Sequence, residues 1–492
     1  MNNPIKQYRN LFLIPILAIL IIMILAGCAT VGPDYIQPKI DSPPSWNSQL
    51  KNGLIDNETD SHSLAGWWTT LNDPVLSGLI DRAVAENLDL REAKSRLREA
   101  RARRGISGAD QFPTLDASGS VSKSHSNEQD SKLYSIGFDA GWELDLFGGV
   151  RRSLEAADAD LQASREDLRN ALVSLTAEVA LNYIELRMYQ AKLATTEENL
   201  VLQQETHELA KWRYEAGLDD ELAVHQARYS LENTRSELPT LRNALEESKN
   251  RIAVLLGKGP GTLHKELETQ TPIPVIPPEI AVGIPADVLR RRPDVRKAER
   301  ELAAQTARIG VATADLYPKF RLSGAIGLKS GESSSLFTSA SQFWSIVPGI
   351  SWNVFDAGAI RRNIEVQSAL QEQYLNAYEA AVLNALEEVE NALVAYAEEQ
   401  NRLNSLNEAV QAAQSAVELS MNKYQAGMID FTTLLDAQRS LLSYQNQLVQ
   451  SNGTVASNLV RLYKVLGGGW EASTVGTNTE LKYQGDEDEG KI

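Results

Sequence analysis

Cysteine occurs once in 492 residues, at Cys28, so no disulfide within the chain holds the fold together. Histidine is almost as scarce. His62, His125, His207, His225 and His264 are scattered, with no pair four apart on one helix, and this excludes a zinc set. Positive charge is also short: 48 Lys and Arg face 65 Asp and Glu, and the net charge of −17 excludes nucleic acid as a partner. No glycine-rich phosphate loop is present, because Gly467-Gly468-Gly469 follows a helical run, as a helix stop does. The serines of the alternating segments have no His and Asp arranged as a triad. The sequence therefore reads as no enzyme, with no metal site and no soluble cofactor.

What the sequence does contain is itself, twice. Landmarks from Trp142 to Gly257 return 210 positions later without insertion or deletion. Trp142 pairs with Trp352, Arg151-Arg152 with Arg361-Arg362, Tyr214 to Gly217 with Tyr424 to Gly427, and Leu256-Gly257 with Leu466-Gly467. A repeat of this length implies one structural unit used twice. Its stretch from Val150 to Leu256 is patterned in heptads: Leu154, Leu161, Leu168 and Leu175; Leu172, Val179, Leu186, Leu193 and Leu200; then Val224, Leu231, Leu238, Leu245 and Ile252. The second copy has Val382, Val389, Tyr396, Leu403 and Val410, then Leu434, Leu441, Leu448, Val455 and Leu462. Apolar residues held at spacing seven make helices supercoil around neighbours. The small residues Ala156, Ala163, Asn170 and Ala177 give the first arm a second contact face, as a closed ring of helices requires. At 1.5 Å per residue that arm is roughly 100 Å long.

At the N-terminus, Lys6 and Arg9 precede an apolar run from Leu11 to Leu25, a signal-peptide pattern too short for a stable span. It ends in Leu25-Ala26-Gly27-Cys28, which resembles a bacterial lipobox, so cleavage before Cys28 and attachment of diacylglycerol and an acyl chain to that residue are expected. Ala29 rather than Asp follows, which favours the outer membrane as the destination.

Alternating segments precede each long helix. Leu115, Ala117, Gly119 and Val121, then Ile136, Phe138, Ala140, Trp142, Leu144 and Leu146, interleave with polar or tiny residues. The second copy gives Phe320, Leu322, Gly324, Ile326 and Leu328, then Trp344, Ile346, Pro348, Ile350, Trp352 and Val354. This pattern matches transmembrane barrel strands, although a half-buried soluble sheet also alternates. Four strands cannot close a barrel, and lipid cannot satisfy an open edge, so the chain must associate. Two copies supply eight strands and three supply twelve; only the larger number leaves a lumen.

The expected organisation is a signal peptide over 1–27, a lipid-anchored extended strap over 28–72, a first repeat over 73–257, a Pro-rich surface linker over 258–285, a second repeat over 286–467 and a disordered acidic tail over 468–492. Each repeat comprises a helix, two strands and a long helical hairpin. Asp73-Pro74 supplies an N-cap and a first-turn proline for helices at 74–86 and 89–109.

With lipobox, repeat and strands in place, the chain resembles the TolC-like outer-membrane factor family, in its lipoprotein branch. The local marks are Val31 to Tyr35, Trp142 to Gly148, Arg290 to Asp294, Trp352 to Gly358 and Leu434 to Gln438. The resemblance implies a mainly α fold with β: coiled-coil hairpins forming a periplasmic α-barrel, and four transmembrane strands per chain completing a trimeric twelve-stranded β-barrel. It implies a homotrimeric exit duct in outer-membrane lipid, joined by a periplasmic adaptor to an inner-membrane RND-type transporter. The tips Ala216-Gly217-Leu218 and Ala426-Gly427-Met428 would meet the adaptor, and Asp436 matches a periplasmic gate aspartate. Tyr424 matches a tip tyrosine involved in closure, but Ile429 stands where better-known members have an arginine gate partner. Asp430 and Asp220 are the substitutes the sequence offers for that link. Asp116, Asp139, Glu143 and Asp145 would make the barrel interior acidic. Two other readings stay open at this point: the duct of a type I protein-secretion system, and a non-conducting structural lipoprotein that bridges the periplasm.

Overall fold

A computed structural model describes residues 30–39, 42–57, 64–126 and 129–470. The signal peptide, Cys28 and the acidic run after residue 470 lie outside the described residues. In chain order the elements are β1 (Leu54–Ile55), α1 (Pro74–Glu86), α2 (Leu88–Ala109), β2 (Thr114–Ser126), β3 (Gln129–Leu144), α3 (Gly149–Glu215) and α4 (Glu221–Leu255). There follow β4 (Ile280–Ala281), α5 (Pro285–Arg291), α6 (Pro293–Ala314), β5 (Lys319–Ser330), β6 (Gln342–Ser351), α7 (Ala359–Gln425) and α8 (Phe431–Val465). The long helices come in equal pairs: α3 and α7 have 67 residues each, α4 and α8 have 35. Among the described residues two compact units result, and each draws on both halves of the chain: those within 30–39, 95–166 and 296–381 in one, those within 42–94, 167–295 and 382–470 in the other.

The first unit carries the sheet. Its order is β2-β3-β5-β6, and every pairing is antiparallel. Residues directly opposite one another share a face. One cross-strand row is therefore Ala117, Phe138, Ile326 and Trp344, and the next on that face is Leu115, Ala140, Gly324 and Ile346. The other face carries Asp116, Asp139, Ala325 and Ser345, and further along Glu143, Arg321 and Gly349. Ser118 donates to the Asp139 carboxylate at 2.6 Å on this polar face. Gly137 and Gly327 lie opposite each other, and a Cβ on Gly327 would come within 2.7 Å of the Gly137 Cα. The apolar face is uncovered: Phe138 is 53% exposed, Ile326 63% and Trp344 75%. Two strands stop short of the alternation at their C-terminal ends, although β3 begins earlier than it suggests, at Gln129. β3 ends at Leu144 and β6 at Ser351, leaving Leu146, Trp352 and Val354 outside the sheet. Trp142 and Trp352 instead tie the strand ends to the turns after α2 and α6, donating to the Gln111 and Leu316 carbonyls at 2.9 and 3.1 Å.

The strap of the first unit is held by backbone and charge. Val31 N–H donates to the Phe147 carbonyl at 3.1 Å, and the buried Arg152 guanidinium bonds the Val31 carbonyl and the Asp34 carboxylate at 3.1 and 2.6 Å.

The second unit holds the main apolar core. Leu76, Leu79 and Ile80 of α1 pack with Val179, Tyr183 and Leu186 of α3, Ile252 of α4, and Val455, Leu459 and Leu462 of α8. Asp73 caps α1 by accepting from Val75 and Leu76 N–H at 2.9 and 3.0 Å, and its other oxygen accepts the Tyr183 hydroxyl at 2.6 Å. Arg187 donates to that hydroxyl at 2.9 Å.

Two expectations need correction here. Segment 258–285 is no bare surface connector, because Leu263, Leu267, Ile280 and Val282 are buried, and β4 pairs in parallel with β1 of the strap. Its prolines keep it extended, which lets the apolar residues between them reach the core, while Arg187 and Gln190 bond its Thr269 and Leu267 carbonyls at 2.7 and 2.9 Å. The tail is ordered at its start: Gly469 N–H donates to the Leu64 carbonyl at 3.0 Å, and Arg169 stacks over Trp470 at 4.4 Å.

Burial, then the bond to Asp73, pushes the Tyr183 hydroxyl up to about 12. A raised tyrosine contributes stability that is complete below its unfolded value of about 10 and is lost as pH climbs through the folded value. Tyr183→Phe should therefore cost about 1–2 kcal/mol, with the same deficit at pH 7 and pH 9. Thermal melting at both pH values checks this.

Candidate functional site at the hairpin tips

All four long helices end the same way. Gly217, Gly257, Gly427 and Gly467 have φ between 68° and 77°, the left-handed region in which glycine carries no steric penalty. At the tips, Gly217 and Leu218 N–H bond back to the Tyr214 and Arg213 carbonyls at 2.9 and 2.8 Å. Gly427 and Met428 repeat this with Tyr424 and Lys423, both at 2.9 Å. These bonds satisfy the last carbonyls of α3 and α7 and reverse the chain in a few residues. The turns are left standing in solvent. Ala216, Gly217, Leu218, Ala426, Gly427 and Met428 are all exposed, Leu218 to 66% and Met428 to 73%.

Just inside the turns the two hairpins meet in a small cluster of Ala210, Ala223, Ala227, Tyr424, Phe431, Leu434 and Leu435. Tyr424 is its centre. It is 1% exposed and packs edge-on against Phe431 with ring centroids 5.4 Å apart. Its hydroxyl donates to Asp219 Oδ2 at 2.7 Å. Arg213 completes the group: the guanidinium lies 4.7 Å over the Tyr424 ring, stands 3.5 Å from Asp219 Oδ2, and donates to the Gln425 carbonyl at 3.1 Å. Burial, reinforced by the hydrogen bond and charge of Asp219, drives the Tyr424 hydroxyl well above the ordinary tyrosine value.

Tyr424 is thus bound, but not by the expected partners. Asp220 caps α4, accepting from Ala223 N–H at 3.1 Å. Asp430 stands exposed at the start of α8, and its side chain makes no capping bond. The link runs through Asp219 and Arg213, neither of which the sequence reading singled out. A signal for them was present in the repeat: their equivalents 210 positions on are Ile429 and Lys423, so the Asp and Arg absent from the second tip belong to the first. Tyr214, the counterpart of Tyr424, is 45% exposed. Asp436 is not part of this group. It lies exposed on α8 beside a groove lined by Ala409, Ala412, Ala413 and Ala416 of α7. Among the described residues no group of His, Cys, Asp and Glu is arranged to hold a metal.

This geometry makes the tip contact a latch of one charge-assisted hydrogen bond and one cation–π contact. Asp219→Asn should weaken it by about 1.5 kcal/mol, and trypsin should then cut after Arg213 and Lys423 roughly tenfold faster, because cleavage follows the population of opened tips. Tyr424→Phe should do the same, whereas Asp430→Asn should leave the rate unchanged. Timed digestion followed by mass spectrometry reads all three.

The chain as a whole has relatives of known description. The sequence profile described as "Outer membrane efflux protein" matches residues 79–258 and 284–468. Nodulation protein T of Rhizobium leguminosarum bv. trifolii is 34% identical over 451 residues, covering 90% of this chain and 94% of that protein. Cation efflux system protein CusC of Escherichia coli strain K12 is 31% identical over 448 residues, covering 90% and 97%. Solvent efflux pump outer membrane protein SrpC of Pseudomonas putida is 32% identical over 462 residues, covering 92% and 97%. Among solved structures, the outer-membrane channel OprN superposes with a TM-score of 0.85 at 38% identity, over 90% of this chain and all of that one. The open state of the Neisseria gonorrhoeae MtrE outer membrane channel gives 0.82 at 30% identity, over 91% and 100%. The matched segments include both tips and all four strands of the large sheet, and on this evidence the chain belongs to the outer membrane efflux protein family.

Proposed function

We propose that the protein is the passive exit duct of a tripartite efflux pump, a homotrimer whose twelve strands close a barrel in the outer membrane and whose helical hairpins form the periplasmic tunnel. The observation that carries this reading is the four-stranded sheet, with one apolar face uncovered and β2 and β6 each lacking a second partner strand among the described residues. In lipid every unpaired N–H and C=O costs several kcal/mol, so the two edges must find each other across copies. The polar face, with Asp116, Asp139 and Glu143, then lines the lumen, and the apolar face meets lipid. Among the described residues no helix is long and apolar enough to cross a membrane.

Cys28 would carry the lipid anchor beside the barrel. The exposed tips would dock a periplasmic adaptor, through which an inner-membrane RND-type transporter supplies the energy. Small molecules are the favoured cargo, since relatives of 31–32% identity are named for cation and solvent efflux, while none of those cited is named for protein secretion. Selection of cargo falls to the upstream pump.

Three copies of Asp436 around a narrow axis would crowd like charges and favour cations. Purified trimer in a planar bilayer should show small, cation-selective conductance that loses selectivity in Asp436→Ala. Folded trimer that never conducts, with the tip latch also cut by Asp219→Asn, would refute the duct.

A further inference from the structure

The apolar face of the large sheet changes to charge at one end. In the register of β2 and β3 it runs through Ala117 with Phe138, Gly119 with Ile136 and Val121 with Tyr134. The next two rows on that face are Lys123 with Lys132 and His125 with Asp130. The side chains meet there as the register requires: Asp130 Oδ2 lies 3.1 Å from the Lys123 ammonium, and Asp130 Oδ1 lies 2.7 Å from His125 Nδ1. Lys132 stands exposed across from Lys123. Like charges directly opposite on a sheet repel, and Asp130 is bonded to only one of them.

A groove of about 820 Å³ leads toward these lysines, bordered by Gly119, Ile136, Phe138, Ile326, Leu328 and Trp344 among others. Those six belong to two adjacent rows of the apolar face, whereas Ser135 and Asp139, which flank Gly137 on the polar face, do not border it. Gly119 leaves part of the room, since a Cβ built there meets nothing nearer than the Ser135 carbonyl at 4.0 Å. From the Gly119 row to the Lys123 row is about 14 Å at 3.4 Å per residue, past Val121 and Tyr134. Trp142 marks the other end of the same face, about 27 Å from Tyr134 along β3. A tilted barrel strand presents to lipid an apolar band about 25 Å tall with aromatics at both borders. The lysine row therefore falls at headgroup level, at the strand ends farthest from α2 and α3.

We propose that this face holds a phosphate-bearing lipid of the outer leaflet, of the lipid A type, with an acyl chain in the groove and a phosphate bridging Lys123 and Lys132. The phosphate relieves the repulsion between the two ammonium groups and accepts a charge-assisted hydrogen bond from each. Free phosphate would gain only exposed, screened contacts. The lipid adds a chain that fills a groove shaped by Gly119, so anchorage and charge act on one molecule. Any bilayer covers the apolar face; the groove and the lysine pair together choose which lipid does so. That the face meets lipid rests on the duct reading, and the choice of a phosphorylated lipid is the new element.

Native mass spectrometry of the full-length protein, delipidated in detergent and titrated with diphosphoryl lipid A or its dephosphorylated form, tests the site. The parent should bind the diphosphoryl form roughly tenfold more tightly, and an equal concentration of inorganic phosphate should not displace it. Lys123→Ala with Lys132→Ala should abolish the preference and leave binding of the dephosphorylated form unchanged. Gly119→Leu, which fills the groove, should weaken both forms alike. Lys329→Ala removes a lysine from the polar face, opposite Ser135, and should change neither. Equal binding of the two lipids by the parent, a preference that survives the double variant, or displacement by phosphate would overturn the proposal. Contact with lipid is read separately, from quenching of tryptophan fluorescence in vesicles of brominated phosphatidylcholine and its reduction in Trp344→Phe. Quenching without a phosphate preference would overturn this site and leave the duct standing, whereas no quenching would overturn both.

Discussion

The unpaired edges of a single four-stranded sheet set the terms for everything else in this protein. Among the described residues each of β2 and β6 carries a row of backbone donors and acceptors with one side unspent, and the face between them presents Phe138, Ile326 and Trp344 to the outside. In the duct proposed above, pairing the edges across copies would satisfy the first and lipid would cover the second. Heptad stripes on two faces of the long helices allow each to be flanked by a neighbour on both sides.

Much of this was written in the chain, and the physical reason is periodicity. Spacings of two and seven repeat often enough to place the four strands of the large sheet and every long helix, whereas the two-residue strands β1 and β4 carry no such period. Asp73-Pro74 marked the start of α1 through a cap and a ring with no N–H to lose. Non-periodic segments were read less well. The prolines of 258–285 suggested a surface path, yet Leu267 and Ile280 lie in the core, because an extended segment bends its apolar residues wherever tertiary packing offers room. Trp352 continued the alternation by sequence, but its indole N–H is bonded to the turn after α6 and lies past the sheet.

At the tip, the tyrosine was legible and its partners were not. Asp219 and Arg213 reach Tyr424 from the other hairpin, more than 200 positions away, and no local pattern reports such a contact. The divergence between the copies did carry the information: Arg213 and Asp219 against Lys423 and Ile429, Tyr214 exposed against Tyr424 buried. Identical geometry in both tips would give each hairpin the same role. Substitution at a few positions makes one tip the holder and the other the held, while the helical turns themselves stay alike.

In the proposed duct the sheet is completed only by other copies of the same chain. Native mass spectrometry of the protein released from the outer membrane in mild detergent measures this directly. A particle of three chains, resistant to dilution, is the predicted result; a stable monomer that keeps its strand content would contradict it.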